Sequence, residues 1–430
     1  MGAVAAPAWR KCTPRAAAAC ALAALLVAGC SEGSSGPGDP QPLSLTFTPA
    51  TQLSGSTVRT SSGAFAAALP TVITGARTLA VSRLDDTTVS IVLPDTTSVD
   101  LALSVDAGAG GLGAGVVHVR GFDHATQVPG ALWFDPLAIT VNASPRFLAQ
   151  GQLAFRSYVL GVLDPATEQL TTITGLEAPS YDFGIVPSRA DGEYILRDST
   201  DRLGRWRLFP TPQLLDTVPL AYAGARLYAQ LADSVWMTLS STMATRRTPT
   251  STTIEALFSD PLRVVFSPAR DRFVVIVPHV AGGLIPMFGG LGDTLYTFPG
   301  ASLDGAAFSW AGDTLFYSTK AAGGSPARIV ARATATGDSL LATPLPAGFH
   351  GYGLALDPAR PALYQVADSS GVAALLVWDP GTLTLMGRMT AGFSNAGSWS
   401  AGILVDTVPN RVFVAYPGAP PTLAVYSRFP

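Results

Sequence analysis

The sequence predicts an all-β protein, a sandwich of short strands followed by a six- or seven-bladed β-propeller. The first observation is a recurring phrase. It reads VVFSPARDRFVVIV at Val264–Val277, AAFSWAGDTLFYST at Ala306–Thr319, LALDPARPALYQVA at Leu354–Ala367 and ILVDTVPNRVFVAY at Ile403–Tyr416. Each copy is an apolar run, a polar turn and a second apolar or aromatic run. With Phe266, Phe308, Leu356 and Val405 superposed, the spacings are 42, 48 and 49 residues, the period of a four-stranded propeller blade. The second observation is a hairpin pattern lying between these phrases, at Tyr158–Gly175, Ile329–Thr343 and Leu375–Thr390. One unit is thus two hairpins. The third is composition. Gly and Pro supply 43 and 34 of 430 residues, enough to punctuate many strands, and 48% hydrophobic against 13% charged residues describes a folded chain.

The chain begins with an expected export signal, residues 1–29. Arg10, Lys11 and Arg15 make a basic start, and Ala16–Val27 is an apolar run too short to cross a ~30 Å bilayer as a helix. It ends in Leu26-Val27-Ala28-Gly29-Cys30. This ending resembles the bacterial lipoprotein signal, which implies cleavage after Gly29, thioether lipidation of Cys30 and acylation of the new amino terminus, palmitate included. An ordinary secretory signal is the alternative. Cys12, Cys20 and Cys30 are the only three cysteines, so the mature chain keeps one, at its first position. An odd exported cysteine calls for an explanation of this kind, and more than one acyl chain makes an anchor stable. Ser31 in the next position implies, by the sorting rule of such lipoproteins, the outer membrane of the cell envelope.

Residues 30–42 are the lipidated cysteine and a Gly-, Ser- and Pro-rich tether. Twelve such residues span roughly 19 Å. Residues 43–145 alternate apolar with polar residues in TLAVSRL, TTVSIVL, SVDLALSVD, GVVHVRGFD and LAITVNA, which predicts a β-sandwich. The pattern is similar to bacterial Ig-like domains. Residues 146–430 carry the repeats, and their D-P-x-x-x-x-hydrophobic-aromatic phrase resembles the YVTN and quinoprotein-like propellers. That resemblance implies fold and brings no functional residue with it. The hairpin at 158–175 is expected to complete the last blade and close a ring of six; seven blades follow if 146–185 builds its own.

Several chemistries are excluded or weakened. Removing the signal leaves 24 bases against 30 acids, so no nucleic-acid partner is expected. Gly108-Ala-Gly110-Gly-Leu-Gly113 fits a dinucleotide fingerprint literally, but a β pattern follows where a helix is needed, so a hairpin is expected. Asp191, Asp271, Asp313, Asp357 and Asp406 recur near the first turns of the blades, either as a carboxylate ring or as turn formers. His118 and His124 could share a face near Asp123, yet too few ligands gather for zinc, so neither metal nor cofactor is expected. No catalytic residues are assigned.

Loops leading into the inner strands are rich in aromatics and glycine. Tyr181, Asp182, Phe349, His350, Tyr352, Asn395 and Trp399 form the candidate ligand-binding face, or else pack between blades. The resulting expectation is an envelope protein held to the membrane by its lipid anchor. It would act as a non-catalytic binding or scaffolding module for a protein, peptide or glycan. The competing expectation is an envelope enzyme, a glycan hydrolase or lyase or a quinone-dependent dehydrogenase.

Overall fold

The computed structural model is all-β and built from many small sheets. It describes residues 42–127 without a break and, from 133 to 430, the strands and part of the turns between them; residues 1–41, 179–185, 188–192 and 395–401 are among those outside the described residues.

The first nine strands are β1 (Pro42–Ser44), β2 (Thr51–Leu53), β3 (Thr57–Ser61), β4 (Thr71–Thr74), β5 (Arg77–Leu79), β6 (Val81–Arg83), β7 (Thr88–Val92), β8 (Val99–Asp106) and β9 (Leu112–Arg120). They make two sheets. One runs β1-β9-β8-β4-β5, with β2 also on β9, and the other runs β3-β7-β6. The alternation in the sequence decides which side is dry. On β8, Leu103 and Val105 are buried while Ser104 and Asp106 are exposed. On β9, Val117 and Val119 are buried between exposed Val116, His118 and Arg120. With Phe47, Val58, Val72, Val89 and Ile91 they form one core shared by both sheets. Phe65 plugs it from a 3-10 turn, Gly63–Ala66, whose Ser62 hydroxyl accepts the Ala64 N–H. The Gly108–Gly113 run is the β8–β9 hairpin, with Gly108 at φ 61° and Gly111 at φ 110°.

Seven four-stranded antiparallel sheets follow among the described residues. Sheets I to VI take consecutive strands from 133–178, 186–217, 227–257, 263–299, 303–344 and 349–394. Sheet VII joins Gly402–Asp406, Arg411–Tyr416 and Thr422–Ser427 to β10 (Phe122–Gln127), which precedes sheet I in the chain. Two expectations change here. The hairpin at 158–175 does not complete the last sheet; its strands are the third and fourth of sheet I, and β10 takes that place. Residue 145 is no boundary in strand pairing either, because it lies inside Ser144–Ala154, whose partners are Trp133–Val141 and Ser157–Asp164. The pairing changes at Gly121. Both errors share a cause: local alternation is the same in either kind of sheet, and only long-range pairing separates β9 from β10.

The recurring phrase is the first hairpin of sheets IV to VII. Its register is constant: Phe266 faces Phe273, Phe308 faces Leu315, Leu356 faces Leu363 and Val405 faces Val412. The second strand of each hairpin is nearly continuous apolar sequence because it is covered on both faces. Phe273–Ile276, Leu315–Tyr317 and Val412–Tyr416 are buried throughout. First strands of successive sheets touch from II through VII, and the first strand of VII touches that of I. Glu168, in the last turn of sheet I, bonds His124 on β10 at 2.6 Å and Arg411 of sheet VII at 2.7 Å.

The two-sheet unit docks on sheet VI. Leu53 enters the core beside Tyr364, Val377 and Met389. Asp95 accepts from Arg388 Nε at 2.9 Å and from the Thr390 hydroxyl at 2.5 Å and its N–H at 3.2 Å, while Ser54 donates to it at 3.1 Å. Gly387 is required by this contact, since a Cβ there would sit 2.5 Å from that of Leu53.

Candidate ligand-binding face

Three of the seven candidate residues lie on the first strand of sheet VI, Phe349–Leu356; Tyr181, Asp182, Asn395 and Trp399 lie outside the described residues. Gly348, at φ 81°, turns the chain into this strand. Phe349 points inward. It is buried among Leu345, Leu376 and Leu383, and the Arg388 guanidinium stands 5.7 Å from its ring centroid. Tyr352 is half-buried and donates its hydroxyl to Asp368 on the neighbouring strand, and its carbonyl accepts from Ser318 of sheet V at 3.2 Å. His350 is exposed, paired in register with Asp368. The structure therefore employs Phe349 and Tyr352 in packing and hydrogen bonding, and presents His350 outward. Arg388 also holds Asp95, so the same side chain touches the candidate face and the two-sheet unit.

The described turn aspartates are occupied locally. Ser267 donates to Asp271 and Ser309 to Asp313, both at 2.6 Å, and each serine oxygen accepts the N–H that follows the turn, from Arg272 and Thr314. The hydroxyl bond from Ser309 holds the Asp313 carboxyl below its ordinary range. Asp191 lies outside the described residues. Asp357 has a different role. It is buried and receives Arg428 Nη2 at 2.5 Å and Nε at 2.7 Å, the N–H groups of Ala359 and Arg360 at 2.9 and 3.0 Å, and the Tyr364 hydroxyl at 3.2 Å. Burial alone would raise its pKa; the Arg428 and backbone donors outweigh that and hold it below 3.8. The Phe429 N–H donates to Tyr364 Oη at 2.8 Å, so the chain end is latched onto sheet VI. Asp406 is buried in sheet VII, and its charge favours the ionised Arg428.

The two histidines do not meet. His118 on β9 bonds Asp100 at 2.6 Å, and His124 on β10 bonds Glu168 in another sheet. Among the described residues no three His, Cys, Asp or Glu side chains are placed to hold a metal ion.

Sequence reasoning missed Asp95, Glu168 and Arg428. Their partners are 293, 243 and 71 residues away, and no local pattern marks them. A weak signal existed for Arg428, a charge directly after an apolar C-terminal strand. No protein-family model matches the chain, and no curated protein matches it.

Proposed function

We propose that this chain is a lipid-anchored envelope protein whose Ig-like sandwich and seven-bladed propeller form a non-catalytic module that binds or scaffolds a protein, peptide or glycan. The observation that carries the reading is the seven successive four-stranded meanders, with β10 from ahead of the first completing the last and Glu168 tying first to last. In a propeller this arrangement removes the open edge of the final blade. A rigid ring with loops at one mouth is a scaffold for recognition. The described turn carboxylates are committed to backbone, serine and arginine partners, which favours binding over acid–base chemistry. On this reading the mouth is contributed by His350 with Tyr181, Asp182, Asn395 and Trp399, while Phe349 and Tyr352 support it from below.

The test is crosslinking from native membranes with the mature protein, together with glycan arrays. The comparison is a Tyr181→Ala, His350→Ala, Trp399→Ala variant, chosen to spare Tyr352 because its hydroxyl holds Asp368. A partner or glycan captured by the parent and lost in the variant supports the module and its face. Equal capture by both overturns the face. Capture by neither overturns the module and directs attention to glycan hydrolase assays.

A further inference from the structure

The two outer faces of the N-terminal sandwich differ in a way that core formation does not require. On β3 the outward residues are Thr57, Arg59 and Ser61, as expected of a sheet with one wet side. On β9 the outward residues run Leu112, Ala114 and Val116 before reaching His118 and Arg120. Register places Ala102 of β8 beside Val116, and Ser104 between Ala114 and Ile73 of β4. Leu112 is 51% exposed, Val116 48% and Ile73 37%. Between its ends the strip carries no charge and is built of small or aliphatic side chains. Charges stand at its ends, Asp106 beside Leu112, and the Asp100–His118 pair and Arg120 beyond Val116.

We infer that this face of the β9-β8-β4 sheet rests on the lipid surface. The inference depends on the lipid-anchor reading and deepens it. The place where the chain joins the sheet favours lipid as the occupant. Strand β1 is the edge of this same sheet, and its first residue, Pro42, pairs with Leu112 at one end of the strip. Residues 31–42 reach roughly 19 Å, so an anchor at Cys30 keeps the strip within contact of the bilayer. Tethering makes contact intramolecular, at an effective concentration near millimolar, so a strip too small to bind lipid from solution is held there. The acidic net charge of the mature chain selects a zwitterionic surface over an anionic one.

The test uses the full, lipidated protein reconstituted in phosphatidylcholine vesicles carrying a spin-labelled lipid quencher. Single cysteines are introduced as Ala114→Cys or Val116→Cys, with Ile254→Cys on a distant sheet as control, and labelled with an environment-sensitive fluorophore; Cys30 is blocked by its thioether. Flotation reports the anchor independently of the labels. The expected result is flotation of all variants, loss of most fluorescence at 114 and 116, and none at 254. Adding Leu112→Glu should abolish quenching at 114 and leave flotation intact. Flotation with an unquenched 114 label overturns the inference and leaves the anchor standing. Self-quenching that grows with protein density, without lipid quenching, overturns it in favour of a second copy on the strip. Failure to float overturns the anchor reading and this inference with it.

Discussion

Replacing Arg428 by Met should cost about 3–4 kcal/mol. The aliphatic stem is kept and the charge removed, so packing changes little. Arg428 is 4% exposed and Asp357 1%, and two charge-assisted bonds at 2.5 and 2.7 Å join them. Breaking one side of a buried pair strands the other charge, typically at ~3–5 kcal/mol. Asp357 keeps three donors in the variant, from Ala359, Arg360 and Tyr364, which places the cost toward the lower end of that range. The assay is urea unfolding by circular dichroism with linear extrapolation, parent against Arg428→Met, repeated down the pH scale. The Asp357 carboxyl is held below 3.8 in the folded state, so its contribution is present above that value and disappears as pH falls through the lower folded pKa. The gap between parent and variant should therefore be full near neutral pH and narrow below 3.8. A loss under ~1 kcal/mol at neutral pH, the value of a surface pair, would refute the reasoning, as would a gap indifferent to acid.

Three other outcomes follow from the same geometry. Gly305→Ala should lower stability by about 1–3 kcal/mol, because its Cβ would lie 2.1 Å from the Tyr352 carbonyl oxygen; Gly63→Ala, with open space around it, should be nearly neutral in the same thermal denaturation. Asp95→Ala should lose about 1 kcal/mol and lower amide protection along Leu385–Ser394, and a double-mutant cycle with Arg388→Ala should show coupling. Burial raises the hydroxyls of Tyr416 and Tyr426, which bond each other at 2.9 Å, well above 10.0. Their stabilisation is then complete below pH 10.0 and lost as pH rises through the raised values. Alkaline unfolding should show a tyrosinate absorbance step that is smaller in the Tyr416→Phe, Tyr426→Phe variant, the remainder coming from Tyr317 and Tyr364, whose hydroxyls burial also raises.

What the sequence determined by itself was everything carried by local alternation and turn chemistry. Buried second strands such as Phe273–Ile276 are apolar runs, and their hairpins recur once in each of sheets IV to VII. The Ser-x-x-x-Asp turns at 267–271 and 309–313 close on themselves within five residues, so their aspartates were legible as turn formers. The Gly108–Gly113 hairpin was legible for the same reason. Of the candidate face, the sequence placed Phe349, His350 and Tyr352 together in a loop leading into an inner strand; the structure puts them on the strand itself, and the sequence could not assign their directions. Whether an aromatic covers a core or meets solvent depends on what the next sheet brings. Arg388 over Phe349 and Asp368 under Tyr352 made that choice. Tertiary structure alone decided the strand that completes sheet VII, the docking of Asp95 and the latch of Arg428. Each joins groups at least 71 residues apart, whose meeting rests on the packing of whole sheets and leaves no periodic trace in the chain.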